Sequence, residues 1–274
     1  MLSDAQLRQY RERGYVSPLR AFPAEQARAF RIALEANERS HGGKLPEDHR
    51  RKTHLYLKWV DEIVHHPAIL DAVERLIGPD ILLYHLTYWI KEPRSDARIS
   101  WHQDSTYFGL EPAEHVTAWV ALADSNMESG CVQVVPGSHL GGQVPHAEGR
   151  LAGNMLRGQE IDVAGDAAIE HLVLRPGEFS LHHTHLFHNS MPNRSDDRRI
   201  GLGISYIPAC CRCAARQRLS VTLVRGRDTH GHFDLDPRPS KDGDPEALSR
   251  HAEAVRRWHS ARAELIPRAH GKAA

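Results

Sequence analysis

The sequence predicts a mainly β protein with flanking helices, built on a double-stranded β-helix, the jelly roll of cupin-like proteins. From Ile81 to about Val224 the chain breaks into short runs rich in Val, Ile, Leu, Tyr and Trp. Turn signals such as Glu-Pro, Pro-Gly and Pro-Asn separate these runs at the spacing of antiparallel strands. Amphipathic helical patterns stand on both sides of this region, so helices are expected to flank the strands.

Three helices are predicted in the N-terminal part, residues 1–78. Ser3 and Gln6 have the spacing of a capping box, which marks a helix start. Proline in the first turn and glycine after the last turn mark the remaining boundaries. The predicted helices run from Ser3 to Gly14, from Pro23 to Ser40 and from Pro67 to Gly78.

The jelly-roll core is predicted over about residues 80–225, and a last helix over about 245–265. That helix carries Leu248, Val255 and Trp258 on one side, as an amphipathic helix does. A chain of 274 residues without internal repeats can be built around one hydrophobic core. We therefore expect a single domain over residues 1–274.

The charge balance and the hydrophobic pattern narrow the class of partner. Lysine plus arginine equals aspartate plus glutamate, at 35 each, so neither nucleic acid nor an anionic membrane is expected as a partner. No apolar run approaches the 18 residues of a membrane span, and the N-terminus does not resemble a signal peptide. The sequence thus favours a cytoplasmic protein that acts on a small molecule, and leaves its oligomeric state open.

Three of the four cysteines, Cys210, Cys211 and Cys213, lie close together after Pro208. Without a second cluster of ligands they provide too few donors for a tetrahedral zinc site. We interpret them as structural, or incidental, thiols of a reduced protein.

Two His-x-Asp tripeptides are candidates for part of a metal site. With 20 histidines, chance alone predicts roughly one such tripeptide, so only the context can distinguish them. His102-Gln-Asp104 stands between two predicted strands, where ligands are held rigidly. His232-Phe-Asp234 opens a polar, proline-rich stretch that reads as a surface loop. His102 and Asp104 are therefore the favoured pair.

A second histidine would complete a site for iron. Two imidazoles and one carboxylate can occupy one face of octahedral Fe(II) and leave the other positions for a chelating cosubstrate and O₂. Four histidines compete for this place: His182, His183, His185 and His188. His139, in a Pro-Gly-Ser-His sequence, is expected to fix a turn.

In their order along the chain, four motifs resemble the phytanoyl-CoA dioxygenase family of Fe(II)- and 2-oxoglutarate-dependent oxygenases. The resemblance covers about residues 80–207, and the N-terminal helices loosely. Its motifs are Trp101-His-Gln-Asp104, Val116-Thr-Ala-Trp-Val-Ala-Leu122, the turn from Gly130 to His139, and His188-Asn-Ser-Met-Pro-Asn-Arg-Ser195 followed by Arg199.

The resemblance implies a role for each of six residues. His102, Asp104 and His188 would bind the iron, with His185 as the alternative to His188. Arg199 and Ser190 would bind the distal carboxylate of 2-oxoglutarate, and Trp119 would line its pocket.

Physical reasoning also favours Arg199 as the residue that binds the cosubstrate. The distal carboxylate must lose its water inside a barrel, and a guanidinium can pair with it through two hydrogen bonds. In a strand, Arg199, Gly201 and Gly203 share one face, and glycines beside an inward arginine leave room for a ligand. Arg198 then points outward. The alternative for Arg199 is a surface ion pair with Asp196 or Asp197.

The implied function is that of a dioxygenase with Fe(II), 2-oxoglutarate and O₂ as cofactor and cosubstrates. It would hydroxylate an unactivated C–H bond of a small metabolite and release succinate and CO₂. Halogenating relatives have a small residue where Asp104 stands here, so halogenation is not expected. Desaturation or cyclisation at the same site, a non-catalytic metal-binding jelly roll, a ligand sensor and a zinc hydrolase are the alternatives.

The substrate is not identified by the sequence. Candidate substrate-binding residues are aromatic or polar groups near the metal motifs: Tyr84, Tyr88, Arg98, Trp101, Gln103, Tyr107 and Phe108. Lys52 or Lys58 could add a cation to the cosubstrate site. No long basic surface suited to coenzyme A is visible, which favours a small metabolite over an acyl-CoA.

Overall fold

A computed structural model describes residues 1–149, 153–156 and 159–265. Six α-helices lie in these ranges: α1 (Asp4–Arg13), α2 (Ala24–Ser40), α3 (Lys58–Val64), α4 (Pro67–Ile77), α5 (Ser105–Phe108) and α6 (Pro245–Leu265). Three short 3₁₀ helices span Asp48–Arg50, Thr53–Leu55 and Ser138–Gly141. The predicted capping box is present, because the Ser3 side chain accepts from the Gln6 amide and Gln6 accepts from the Ser3 amide.

The strands occupy most of the region between α4 and α6. They are β1 (Tyr15–Arg20), β2 (Ile81–Lys91), β3 (Ile99–His102), β4 (Leu110–Glu111), β5 (Val116–Ala121), β6 (Val132–Val134), β7 (Ala147–Glu148), β8 (Gln159–Glu160), β9 (Glu170–Leu172), β10 (Glu178–His183), β11 (His188–Ser190), β12 (Arg199–Pro208), β13 (Arg212–Cys213), β14 (Ser220–Arg225) and β15 (Asp234–Leu235).

Two sheets form the jelly roll. The larger has seven strands in the order β1-β10-β5-β12-β2-β14-β15, and the smaller has four in the order β3-β11-β6-β9. Most pairs are antiparallel, and neighbours in the sheets are often distant in the chain, as in the predicted double-stranded β-helix.

The main core lies between the larger sheet and the helices. Ile200, Leu202 and Ile204 of β12 pack in one cluster with apolar residues of α2, α3 and α4. A second cluster lies between the two sheets, where Trp119 of β5 packs with Val132 and Val134 of β6. This alternation leaves the opposite face of β12, which begins at Arg199, directed into the space between the sheets.

The boundaries of the four predicted helices follow the sequence prediction closely, whereas several shorter elements, among them β1, α3 and α5, were not predicted. Tyr15–Arg20 joins the edge of the larger sheet as β1, although its burial alternates only weakly. The short helix α3 has no cap made by a side chain, which explains why no start signal is visible. Within the described ranges, none of the helices combines the length and the apolar content that crossing a bilayer requires.

Candidate metal centre and adjoining cavities

His102, Asp104 and His188 converge between the two sheets. His102 ends β3 and His188 begins β11, and the two residues are direct partners across this antiparallel pair. Their imidazole centroids are therefore only 4.0 Å apart. Asp104 stands at the start of α5, and one ligand atom from each of the three residues lies within 4.8 Å of the others.

Backbone carbonyls orient both imidazoles. Nδ1 of His102 is 2.9 Å from the Ser100 carbonyl oxygen, and Nδ1 of His188 is 2.9 Å from that of Leu186. Since a carbonyl can only accept, Nδ1 carries the proton in each ring and Nε2 has a free lone pair. Both Nε2 atoms lie 3.7 Å from Oδ1 of Asp104. Three donor atoms are thus directed at one point.

The protonation states suit a metal. Burial lowers the pKa of His188 well below its usual value, so its imidazole is neutral. Burial opposes the charge on Asp104, but the neighbouring His188, His102 and His182 outweigh it and hold the pKa of that carboxyl well below its usual range. A neutral imidazole and an ionised carboxylate are the forms that bind a divalent metal.

A buried hydrogen-bond relay holds the other carboxylate oxygen. The Thr117 hydroxyl donates to Oδ2 of Asp104 at 2.7 Å, and it therefore accepts from Nε2 of His115 at 2.9 Å. Nδ1 of His115 then accepts from the Thr184 hydroxyl at 2.8 Å. Burial lowers the pKa of His115 to about 4, so the ring stays neutral in this chain of bonds. Oδ1 is left for the metal.

His182 lies on the same side of the carboxylate. Its Nε2 is 3.4 Å from Oδ2 of Asp104, and its ring centroid is 4.7 Å from that of His188. The side chain is buried, and neither ring nitrogen has a hydrogen-bond partner in the described part of the chain. It is not a member of the three-residue cluster, but it lines the same cavity.

Arg199 lies at the end of a narrow cavity that leads away from the cluster. The cavity has a volume of about 40 Å³ and is lined by His102, Asp104 and His188 at one end and by Ser190, Trp119 and Arg199 at the other. By the usual 10–15 Å³ for each water-sized site, this is room for about three such sites, sufficient for a short chain with a carboxylate.

The guanidinium of Arg199 is only partly satisfied. The residue is 0% exposed; its Nη1 donates to the Gly130 carbonyl at 2.7 Å, and its Cζ is 5.2 Å from the Trp119 ring centroid. Nε and Nη2 are buried and have no hydrogen-bond partner among the described residues. Burial lowers the pKa of Arg199 to about 10, so the group remains a cation. An anion such as a carboxylate fits these two donors.

The alternative prediction, that Arg199 forms a surface ion pair with Asp196 or Asp197, is wrong. Asp197 pairs with Arg31 and Asp196 with Arg94, both at the surface. Arg198 points away from the cavity as predicted, but it is not simply solvated, because it forms ion pairs with Glu38 and Glu92.

Gly201 and Gly203 of β12 do not leave room for a ligand, which is what the sequence analysis predicted for them. A Cβ at Gly201 would lie 2.0 Å from the Trp119 ring, and one at Gly203 would lie 2.7 Å from Nε1 of Trp89. The space beside Arg199 is therefore filled by two indoles rather than left for a ligand. Both indoles line the narrow cavity and form its wall.

A buried lysine stands beside Arg199 and was missed in the sequence. Lys91 is the direct partner of Arg199 across β2 and β12, is 0% exposed, and donates from Nζ to the Ser190 hydroxyl at 2.6 Å. Lys52, proposed for this role, instead donates to the carbonyls of Tyr84 and Ser220. Lys58 is exposed at the start of α3. None of these three lysines is among the residues that line the cavity.

A larger cavity of about 270 Å³ also reaches His102 and Asp104. Its lining includes residues of β2, α5, α6 and the 3₁₀ helix Asp48–Arg50. Tyr107, Tyr88 and Phe108 are among them, as the sequence suggested.

The other substrate candidates lie elsewhere. Tyr84 belongs to the core, where its hydroxyl donates to the Phe108 carbonyl. Gln103 is fully buried and ties a loop together, because its amide donates to the carbonyls of Gly142 and His185. Arg98 and Trp101 do not line this cavity. A polar side chain close to a ligand motif in the sequence was therefore a poor indicator of the substrate cavity, since those of Tyr84 and Gln103 bind backbone carbonyls instead.

The competing metal candidates are separated from the cluster. His185 lines a different pocket, and Asp234 is exposed and pairs with Arg218 and Arg257. His232 stacks on His230 at the surface. Cys211 is buried with its thiol directed at the Pro112 and Glu114 carbonyls, whereas Cys210 is exposed. Within the described ranges, the only potential metal cluster is that of His102, Asp104 and His188.

Comparison with known proteins gives the family. The model of the phytanoyl-CoA dioxygenase family matches residues 1–201. The chain belongs to the phytanoyl-CoA dioxygenase family. Human peroxisomal phytanoyl-CoA dioxygenase is 32% identical over 152 residues, which are 53% of this chain and 45% of that protein. A probable α-ketoglutarate-dependent hypophosphite dioxygenase of Stutzerimonas stutzeri is 29% identical over 184 residues, 64% of each. The matches thus span less than two thirds of either relative.

Two solved structures resemble this member of the phytanoyl-CoA dioxygenase family over most of its length. The non-haem monooxygenase ThoJ, in its apo form, is 35% identical with a TM-score of 0.84, over 94% of this chain and 97% of ThoJ. CytC3, solved with Fe(II) and α-ketoglutarate, is 21% identical with a TM-score of 0.66, over 86% of this chain and 93% of CytC3, and shares the fold.

These findings confirm the resemblance to the family and the jelly-roll fold class. They also confirm the enzyme class, which is that of the non-haem iron dioxygenases of the phytanoyl-CoA dioxygenase family. Membership of the family, together with the cluster of His102, Asp104 and His188, also confirms Fe(II), 2-oxoglutarate and O₂ as the cofactor and cosubstrates of that class. The roles of the individual residues remain predictions.

Proposed function

We propose that this chain hydroxylates an unactivated C–H bond of a small metabolite with Fe(II), 2-oxoglutarate and O₂, and that succinate and CO₂ are the coproducts. The observation that carries the proposal is one narrow cavity with two complementary ends. Three ligand atoms converge at one end, and the buried, half-satisfied guanidinium of Arg199 stands at the other. A dicarboxylate that chelates a metal and extends to Arg199 uses both ends.

Each residue of the cavity has a role in this proposal. His102, Asp104 and His188 would hold the iron, and Arg199 with Ser190 would bind the distal carboxylate of 2-oxoglutarate. Trp119 would line the pocket and stabilise the Arg199 cation through its ring face. The bound iron and its cosubstrate would supply the oxidising chemistry.

The chain's own contribution is orientation and exclusion of water. The Thr117 relay fixes one oxygen of Asp104, and the backbone carbonyls fix both imidazoles. Burial of Arg199 strengthens its pairing with a carboxylate, because little water competes for it. Since Asp104 fills the third protein position, no place for a halide is left, which favours hydroxylation over halogenation.

Two other classes fit these residues less well. A zinc hydrolase requires a general base beside a water-bearing metal and has no use for a buried guanidinium in the same cavity. A non-catalytic metal binder or a sensor does not require three fixed ligands and an anion site in one cavity. Desaturation and cyclisation use the same metal centre, and the mass of the product distinguishes them from hydroxylation.

A spectroscopic titration tests the proposal before any substrate is known. Anaerobic addition of Fe(II) and 2-oxoglutarate should produce the weak visible charge-transfer band of a chelated complex, whereas Zn(II) should give none. Asp104→Ala should lose the band and the release of succinate, while its circular dichroism spectrum remains that of the wild type. Asp234→Ala, at the other His-x-Asp, is the matched control. If Asp234→Ala loses the band while Asp104→Ala keeps it, the choice of His102 and Asp104 over His232 and Asp234 is wrong.

A further inference from the structure

The larger cavity beside the metal cluster has a cationic rim. Arg50 and Arg51 reach it from the 3₁₀ helix Asp48–Arg50 and the residue that follows, and Arg262 reaches it from α6. Glu47 and Asp104 are the acidic residues of the lining, so cations outnumber carboxylates by three to two. Asp104 belongs to the metal cluster, and this leaves Glu47 as the counterion of the rim.

Glu47 is already engaged. Arg51 donates to its Oε1 at 2.8 Å and to its backbone carbonyl at 2.9 Å. Arg262 lies over the Tyr107 ring, with 5.1 Å from Cζ to the ring centroid.

Arg50 is in a different situation. It is half-buried, and its guanidinium has neither a hydrogen bond nor an ion pair with the side chains and backbone that the structure describes. Burial lowers the pKa of Arg50, although the group remains a cation at neutral pH. Glu47, Glu38 and Glu92 favour its charge from a distance, but none of them accepts a hydrogen bond from it. A bound anion would offset the remaining cost of its partial desolvation.

Part of the lining of this cavity consists of aromatic rings and apolar side chains. The His85 ring stacks on the Trp258 indole at 4.0 Å between centroids and 17° between planes, and Phe108 packs against the indole. Burial lowers the pKa of His85 well below its usual value, so this stacked surface carries no charge. Met155 and Leu156 add to the apolar lining. A ligand in this cavity therefore meets both cations and stacked rings.

We propose that the substrate is an organic oxyanion, a carboxylate or a phosphate ester, whose anionic group binds Arg50 and whose apolar body lies against His85, Trp258 and Phe108. The cavity also touches His102 and Asp104, which places such a body next to the metal cluster. This inference rests on the proposed function, because it names the class of molecule that the same site oxidises.

The test uses simple probes and requires no turnover. Under anaerobic conditions, protein loaded with Fe(II) and saturated with 2-oxoglutarate is titrated with 3-phenylpropanoate, phenyl phosphate and the neutral 3-phenylpropanamide. Binding is followed by calorimetry and by quenching of the fluorescence of Trp89 and Trp258, which line the cavity. At least one anion should bind about 10-fold more tightly than the amide, a charge-assisted contact of about 1.4 kcal/mol. The two anions distinguish a carboxylate from a phosphate ester as the preferred group.

Variants locate the anion site. Arg50→Gln should remove the preference for the anion, and Arg50→Lys should retain part of it. Arg28→Gln, which changes an exposed arginine on α2, is the matched control and should bind like the wild type. Since Arg50 has no hydrogen bond or ion pair within the described ranges that these changes would break, the variants are expected to fold.

Three results would overturn the inference: equal affinity for the amide and the anions, no binding of either anion, or an unchanged preference in Arg50→Gln. If Arg199→Lys rather than Arg50→Gln weakens the probes, they occupy the cosubstrate cavity and the assignment is wrong. The charge-transfer band is independent of these outcomes. If the charge-transfer band forms but the protein does not prefer the anionic probes to the amide, only the proposed substrate class is rejected. If the protein prefers the anionic probes but the band does not form, the metal chemistry of the proposed function is rejected.

Discussion

The Thr117 hydroxyl lies 2.7 Å from Oδ2 of Asp104, on the carboxylate oxygen that faces away from the two Nε2 atoms of the cluster. Because His115 donates to this hydroxyl, its single proton is directed at the carboxylate. The carboxylate can therefore present one oxygen, Oδ1, to a metal in a fixed orientation.

Thr117→Val keeps the shape of the side chain but removes the donor, so metal affinity should fall by about 10 to 100-fold. Thr117→Ser keeps the donor and should restore most of it. Affinity is measured by competition of Fe(II) with a chelator under anaerobic conditions, and the position of the 2-oxoglutarate charge-transfer band gives a second readout. Equal affinity of the Val variant and the wild type would mean that the relay does not orient Asp104.

His188→Ala should lose iron far more completely than His185→Ala. The first change removes a ligand atom from the cluster, whereas His185 lines a separate pocket. Iron is measured by metal analysis after dialysis. If the two variants retain the same amount of iron, the choice of His188 is incorrect.

Arg199→Lys should weaken the binding of 2-oxoglutarate by about 1.5–3 kcal/mol, because the charge remains but the two-donor contact is lost. Such a loss corresponds to roughly one to two decades in KM. Iron binding should hardly change. The measurement is a titration of succinate formation with 2-oxoglutarate at saturating iron.

Arg198→Lys is the neighbouring control. It should leave the affinity for 2-oxoglutarate unchanged, although it weakens the ion pairs with Glu38 and Glu92 and can lower thermal stability. A larger loss of cosubstrate affinity in Arg198→Lys would contradict the role assigned to Arg199.

The lowered pKa of Lys91 predicts that the free energy of unfolding depends on pH. Burial, together with Arg199, lowers its pKa from 10.5 to about 6 in the folded chain. Between these values the unfolded chain carries a proton that the folded chain lacks, so the burial of Lys91 costs more as pH falls, by at most about 1.4 kcal/mol for each pH unit. The cost is absent well above pH 10 and constant below pH 6.

In Lys91→Met this dependence disappears. The free energy of unfolding of the variant should therefore improve relative to the wild type as pH falls from 9 to 7, as measured by urea denaturation at several pH values. Lys44→Met, at an exposed position, should follow the wild type at every pH. A difference between Lys91→Met and the wild type that is the same at pH 9 and pH 7 would refute the assigned pKa.

Local signals in the sequence predict most of the fold. Gly14 and Gly78 end their helices at the predicted positions, and both have the positive φ that glycine readily adopts. The alternation of Ile200, Leu202 and Ile204 correctly assigns the two faces of β12. The single-domain organisation over residues 1–274 remains a prediction.

The convergence of His102, Asp104 and His188 was expected from the resemblance of their motifs to the family, and the three residues do lie together. What the sequence did not predict depends on contacts between distant segments. Lys91 meets Arg199 through the register of β2 and β12, which no local pattern records. Likewise, Arg50 and Trp258 come from opposite ends of the chain to line one cavity. Residues brought together only by tertiary packing have no signal at short range.

The helix α6 contributes Trp258 and Arg262 to the larger cavity, yet it lies beyond residue 201, where the match to the family ends. The metal cluster and Arg199 all lie before that point. The proposed substrate cavity therefore combines residues of the matched stretch, such as Arg50 and His85, with two residues of a helix outside it. A relative with a different helix at this place would present a different wall beside the same three candidate ligands, so exchange of α6 alone would show how far that helix selects the substrate.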